Sequence, residues 1–128
     1  MSVQYSLSEK GNPAKPAAPK KFYAIARSTG EVTFRSLSKE IAAASTTVSD
    51  TDVLAVLNDL SKALARNLGE GRIVRFGDFG SFSLRLSSEG AETEKKFSPA
   101  LIKSAKISFR PGIDLKEMLA TLKFEKGK

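Results

Sequence analysis

At 128 residues the chain is the size of one ordinary domain, or of one domain with an appended segment. Apolar residues make up 41% and charged residues 27%, a globular composition, and the absence of Cys, His and Trp excludes disulfide scaffolds, thiol nucleophiles, zinc knuckles and Ser-His-Asp triads. Lys+Arg 21 against Asp+Glu 14 leaves +7, a balance that attracts polyanions, most often nucleic acid or an acidic membrane surface.

Residues 1–9 alternate, with Val3, Tyr5 and Leu7 on one side and Gln4, Ser6 and Ser8 on the other, the period of a half-buried strand. KGNPAKPAAPKK follows, with three prolines and four lysines, and reads as an extended, solvated connection. Phe22–Arg27 and Glu31–Phe34 flank Ser-Thr-Gly, which predicts a hairpin turning at Gly30. From Ser36, a candidate N-cap, Leu37, Ile41 and Ala44 recur at helical spacing. Ser49 caps a second, longer helix with Asp50 and Asp52 in its first turn. Its stripe is Val53, Leu57, Leu60, Leu64 and Leu68, widened by Val56 and Ala63, and Gly69 and Gly71 end it. One sheet would hardly cover so wide an apolar face, so a second subunit is expected.

From Arg72 the period changes to two. RIVRF, GDFGSF and SLRLSS predict a strand, a tight turn and a second strand, with Gly77 and Gly80 allowing backbone that other residues resist. Phe76, Phe79 and Phe82 are expected to pack together rather than to stack on bases. SSEGAETEKK is a polar excursion, AKISF resumes a strand, and Pro111-Gly112 breaks it. Ile113 to about Leu122 reads as a final helix, and 125–128 as a basic tail.

Enzyme signatures are missing: there is no GxGxxG, P-loop, HExxH or GxSxG. Neither catalysis, a metal nor a cofactor is expected. No apolar run approaches the ~20 residues that cross a bilayer, and the N-terminus lacks a signal-peptide core, so a soluble cytoplasmic protein is expected. Charge is unevenly spread. Residues 1–35 carry six basic and two acidic side chains, 36–86 six of each, and 87–128 nine and six. The neutral middle suits an apolar, self-associating body, and the ends suit a phosphate-tracking surface.

The order of parts resembles the bacterial histone-like HU and integration host factor family over about residues 36–119. The resemblance is carried by Leu37, Ile41 and Ala42, by Val48, Ser49 and Asp52, and by Val74 with Phe79-Gly80-Ser81-Phe82. Arg85, Phe109, Gly112, Leu115 and Lys116 complete it. With GDFGSF, LSSEGAET, FRPG and an added N-terminal segment, the chain looks like the extended HU-related (HU-HIG) subgroup. The resemblance implies an α+β fold: an intertwined homodimer with an αα-hairpin body, a three-stranded antiparallel sheet and a β-ribbon arm, plus an N-terminal β extension. The extension would occupy 1–35 and the HU-like domain 36–124, with its arm at about 84–108.

Function implied by the resemblance is non-specific, nucleoid-associated binding of double-stranded DNA through the phosphate backbone and minor groove, the mode of this family of architectural proteins. The implied DNA-binding residues are Arg75, Arg85, Lys95, Lys96, Lys103, Lys106, Arg110 and Lys116. Two features depart from the pattern. The family's arm tip carries a proline that wedges between base pairs, whereas Ser87–Lys96 has none and holds three glutamates. Bending weaker than that of ordinary HU is therefore expected, with Phe97 and Pro99 serving as core and turn residues rather than wedges. A fold that has lost DNA binding and holds protein instead is the competing reading. The N-terminal segment has no counterpart in the basic family. Burial of Val3, Tyr5, Leu7, Phe22, Ala24 and Phe34 is its expected role, ahead of a basic arm formed by Lys15, Lys20, Lys21 and Arg27.

Overall fold

The computed structural model describes residues 2–45 and 47–127. Strands β1 (Ser2–Lys10) and β2 (Lys21–Ala26) lead into helices α1 (Phe34–Ala44) and α2 (Asp50–Gly69). Strands β3 (Val74–Arg75), β4 (Gly80–Ser88) and β5 (Ile102–Pro111) follow, then helix α3 (Ile113–Ala120) and strand β6 (Lys123–Lys126). The elements fall into two compact units, one of 1–33 with 118–128 and one of 34–117.

The larger unit is an αα-hairpin with a three-stranded antiparallel sheet of order β3-β4-β5. Helix α2 starts as its sequence predicts, the Ser49 hydroxyl accepting from the Asp52 N–H at 3.1 Å. It ends where Gly71, at φ 84°, brings its N–H to the Leu68 carbonyl. Helix α1 begins two residues before Ser36, since the Leu37–Ile41 spacing locates the packed turns but not the first, unpacked one.

Four phenylalanines, Phe76, Phe79, Phe82 and Phe109, pack on one another with ring centroids 4.7–6.5 Å apart. Packing, as expected, is their role. A 3₁₀ turn at 77–79 carries the chain from β3 to β4, closed by the Phe76 N–H on the Gly80 carbonyl at 2.8 Å. Gly80 has φ 145°, and a Cβ there would lie 2.5 Å from the Arg110 carbonyl oxygen and 2.8 Å from the Phe109 ring. Only glycine fits at that crossing.

The smaller unit is a sheet of order β2-β1-β6, and it corrects two expectations. Phe22–Ala26 does not pair with 31–34. It runs antiparallel to β1, with Tyr5 opposite Ala26 and Lys10 opposite Lys21. Both candidate partners alternate, and alternation names a face, not a partner, so the nine-residue β1 outcompetes the short EVTF segment. Residues 31–33 hold no strand, and Phe34 opens α1. Likewise the first half of the predicted tail, Glu125 and Lys126, belongs to strand β6, parallel to β1 with Val3 beside Phe124.

Register puts Val3, Tyr5, Leu7, Phe22, Ala24, Ala26 and Phe124 on one face of this sheet. That face borders an open cavity of about 430 Å³ lined by Val3, Tyr5, Ala24, Ala26 and Phe124. The expected burial of this set holds only in part. Val3 and Tyr5 are half-buried, whereas Leu7, Ala24 and Phe34 are exposed and Phe22 is 64% exposed. A single sheet layer buries an apolar face only when a second layer covers it.

Little of the chain is interior. Among the described residues the buried apolar side chains are Val53 and Leu68, at 8% and 4% exposure, and the buried polar one is Ser38, which donates to the Arg35 carbonyl at 2.7 Å. The accessible surface is 10773 Å². Two separate compact units of these sizes would expose only roughly 8,000 Å² between them, which leaves an excess of about 3,000 Å². Much of it is apolar: Val56 is 63% exposed, and Ile41, Leu60 and Ile107 are exposed as well.

Candidate nucleic-acid interface

Strand alternation divides the two faces of the β3-β4-β5 sheet sharply. Val74, Phe82, Leu84, Leu86, Ala105, Ile107 and Phe109 share one face. There Phe82 and Ile107 meet Ser61, Leu64, Ala65 and Leu68 of α2 around a cavity of about 230 Å³. The opposite face is built in rows. Arg75, Ser81 and Arg110 lie abreast across the three strands. Next come Ser83 opposite Ser108, Arg85 opposite Lys106, and Ser87 opposite Ser104. From Gly80 to Ser87 and from Ser104 to Pro111 there is no carboxylate.

This face combines cations with small hydroxyl donors. Guanidinium groups offer a planar fork that matches phosphate oxygens, and serines add short-range donors without bulk. Arg85 and Lys106, directly opposite each other, repel, and like charges so placed cost the sheet stability. At its α3 end the face dips into a cavity of about 180 Å³ lined by Arg75, Gly77, Gly80, Ser81, Arg110, Pro111 and Gly112. Three glycines there keep side chains out of the space between the two arginines. A Cβ at Gly112 would collide with the Asp78 carbonyl, so the glycine also permits close packing of the 77–79 turn.

The excursion between β4 and β5 is different in character. The Glu89 N–H meets the Leu101 carbonyl at 2.8 Å, beyond a register shift at Ser87/Ser88. Thr93 caps a 3₁₀ turn at Glu94–Lys96, and Pro99 opens a second one at Pro99–Leu101. Here cations are paired: Lys96 with Glu92 at 3.2 Å and Lys103 with Glu89 at 3.0 Å. Such exposed pairs add little stability. Their consequence is electrostatic, because residues 89–103 hold three glutamates and three lysines and carry no net charge.

The eight cations singled out from sequence therefore separate. Arg75, Arg85, Lys106 and Arg110 share the basic face. Lys95 and Lys96 belong to the excursion, Lys103 stands at the start of β5 paired with Glu89 of the excursion, and Lys116 lies on α3. Sequence reading overlooked the five serines of the face, although the period-two pattern Ser-x-Ser-x-Arg-x-Ser from Ser81 carries the signal. Phe97 is not the core residue expected, since it is 43% exposed and its backbone caps the first 3₁₀ turn, whereas Pro99 occupies a turn position as expected. Among the described residues no helix is long and apolar enough to cross a membrane.

Comparison with known proteins agrees with this architecture. The family model HU-HIG, described as an HU domain fused to wHTH, Ig, or Glycine-rich motif, matches residues 1–126, so the chain belongs to that family. No curated protein matches it. Among solved structures, a candidate DNA-binding protein from Bacteroides vulgatus aligns over 98% of this chain with TM-score 0.64 and 14% identity. The chain spans about half of that protein, 48% of its length. HU from Anabaena, solved in complex with DNA, aligns over 70% of this chain and 99% of its own, with TM-score 0.54 and 19% identity. Three helices with small sheets, similar to HU, is thus the fold.

Proposed function

We propose that this HU-HIG family member is a non-specific, architectural double-stranded DNA-binding protein that acts as a homodimer in the bacterial nucleoid. The observation that carries the reading is the carboxylate-free face bearing Arg75, Arg85, Lys106 and Arg110 among serines. Rows of cations with hydroxyl donors fit a phosphate backbone, and contacts of that kind position a protein without identifying bases. Free energy of binding comes mainly from counterion release, so affinity falls steeply with salt. The Anabaena relative was crystallised with DNA, which supports the same use of the fold.

Self-association follows from the missing interior. Two buried apolar residues do not hold a domain of this size, and the excess surface of about 3,000 Å² per chain is of the order that obligate dimers remove. Strong bending is not part of this function, since the tip span Ser87–Lys96 holds three glutamates and no proline, and Pro99 beyond it is engaged in a turn. A mobility-shift titration of a 30-base-pair duplex at several salt concentrations tests the binding. A log–log slope of about −4 or steeper is expected, and the absence of a salt-sensitive shift would refute it. End-labelled duplexes should show smaller energy-transfer changes than with ordinary HU, and equal changes would refute weak bending.

A further inference from the structure

We propose that the β1–β2 hairpin is a second phosphate-contacting surface for duplex DNA, using Lys10, Lys15, Lys20 and Lys21. The inference rests on the reading of the chain as a duplex-DNA binder, but its residues are different ones. Residues 10–30 contain five cations and no carboxylate. Strand register places Lys10 directly opposite Lys21, a like-charge pair that costs stability and is relieved by an anion. None of these four lysines is in a salt bridge among the described residues, in contrast to Lys96 and Lys103.

The loop that presents them is built rather than slack. The Asn12 side chain accepts from the Ala14 N–H at 3.0 Å, the Asn12 carbonyl accepts from Lys15, and the Lys15 carbonyl accepts from Ala18, each at 3.0 Å. Pro13, Pro16 and Pro19 restrict the backbone further. Two successive turns thus lift Lys15 to the tip, while Lys10 and Lys21 flank a cavity of about 420 Å³ floored by Gly11, Asn12, Pro13, Ala18, Pro19 and Tyr23. A Cβ added at Gly11 would touch the Lys20 stem at 3.7 Å, so Lys20 stands at the same rim. Glu9, opposite Phe22, alternates onto the other face of the sheet. Arg27 is not part of the cluster, since it lies past the far end of β2 with its N–H on the Gln4 carbonyl at 2.8 Å.

The excursion between β4 and β5, counted together with Lys103 at the start of β5, carries no net charge, and the β1–β2 hairpin is rich in proline and lysine. The hairpin therefore carries the unpaired positive charge that the excursion lacks. Lysine suits a phosphate backbone as a point charge without base discrimination.

The test compares three full-length proteins on one 30-base-pair duplex over a salt series. They are the wild type, a hairpin variant (Lys10→Gln, Lys15→Gln, Lys20→Gln, Lys21→Gln) and a sheet variant (Arg75→Gln, Arg85→Gln, Lys106→Gln, Arg110→Gln). The hairpin variant should lose roughly 2–4 units of log–log salt slope. An unchanged slope with loss in the sheet variant would overturn the hairpin role and leave the proposed function standing. Loss in the hairpin variant with none in the sheet variant would do the reverse. Because the chain has no cysteine, Ala17→Cys carries a single photo-crosslinker in an otherwise unaltered fold. It should crosslink to the duplex, and no crosslink at saturating DNA would overturn the proposal. Loss of binding to phosphatidylserine vesicles in the hairpin variant, with DNA binding intact, would assign the lysines to a membrane surface and also overturn it.

Discussion

Replacing Val56 by aspartate puts a charge on the most exposed position of the α2 stripe and tests the proposed homodimer directly. Val56 is 63% exposed although it lies beside Val53 and Leu60 on the apolar side of the helix. Complete burial of a valine is worth about 1.5–3 kcal/mol, so the exposed part represents roughly 1–2 kcal/mol still to be gained per copy. Two-fold symmetry counts it twice, and the buried carboxylate adds its own desolvation, so the dimer should weaken by at least ~2–4 kcal/mol. That is a rise of about 30- to 1,000-fold in the dissociation constant. Sedimentation velocity from 0.1 to 100 μM should find wild type dimeric throughout and Val56→Asp shifted to monomer or unfolded chain. The melting temperature of the variant should depend on concentration. Lys62→Gln, an exposed change on the same helix, should leave both readouts unaltered. A wild-type chain that sediments as a monomer and melts cooperatively at the same temperature at every concentration would refute the reasoning.

If the basic face is the proposed DNA-binding surface, its charges set stability against binding. Lys106→Gln removes the repulsion across from Arg85, so the melting temperature should rise by a degree or more while the salt slope of DNA binding falls by about one unit. A fall in both would show that Lys106 supports the fold. Glu89→Gln frees Lys103 from its 3.0 Å partner and should strengthen DNA binding several-fold at low salt, and unchanged affinity would show that the excursion does not approach the duplex. Gly80→Ala drives a methyl group against the Arg110 carbonyl and forces φ 145° on a residue that resists it. Calorimetry should find a loss of at least ~1–3 kcal/mol, and a variant as stable as wild type would mean that the turn relaxes freely.

Much of the candidate site was legible in the residues. Helix α2 could be read from Ser49 to Gly71 because its cap, stripe and terminating glycines act within a few residues of one another. The GDFGSF turn was legible for the same reason, and together with FRPG it pointed to the family and to Arg75, Arg85, Lys106 and Arg110. Other features depend on residues far apart in the chain. Nothing local told β2 to choose β1 over residues 31–34, nor the last strand to lie beside β1, since alternation states which side chains share a face and not which strand they meet. Pairing of Lys103 with Glu89, and the approach of Lys10 to Lys21, likewise required the strands to be brought into register. Composition alone suggested enough apolar mass for a core, but only the tertiary arrangement revealed that one chain leaves most of it uncovered. Burial is a property of what surrounds a side chain, and the residues beside it in sequence do not state which other elements will cover it.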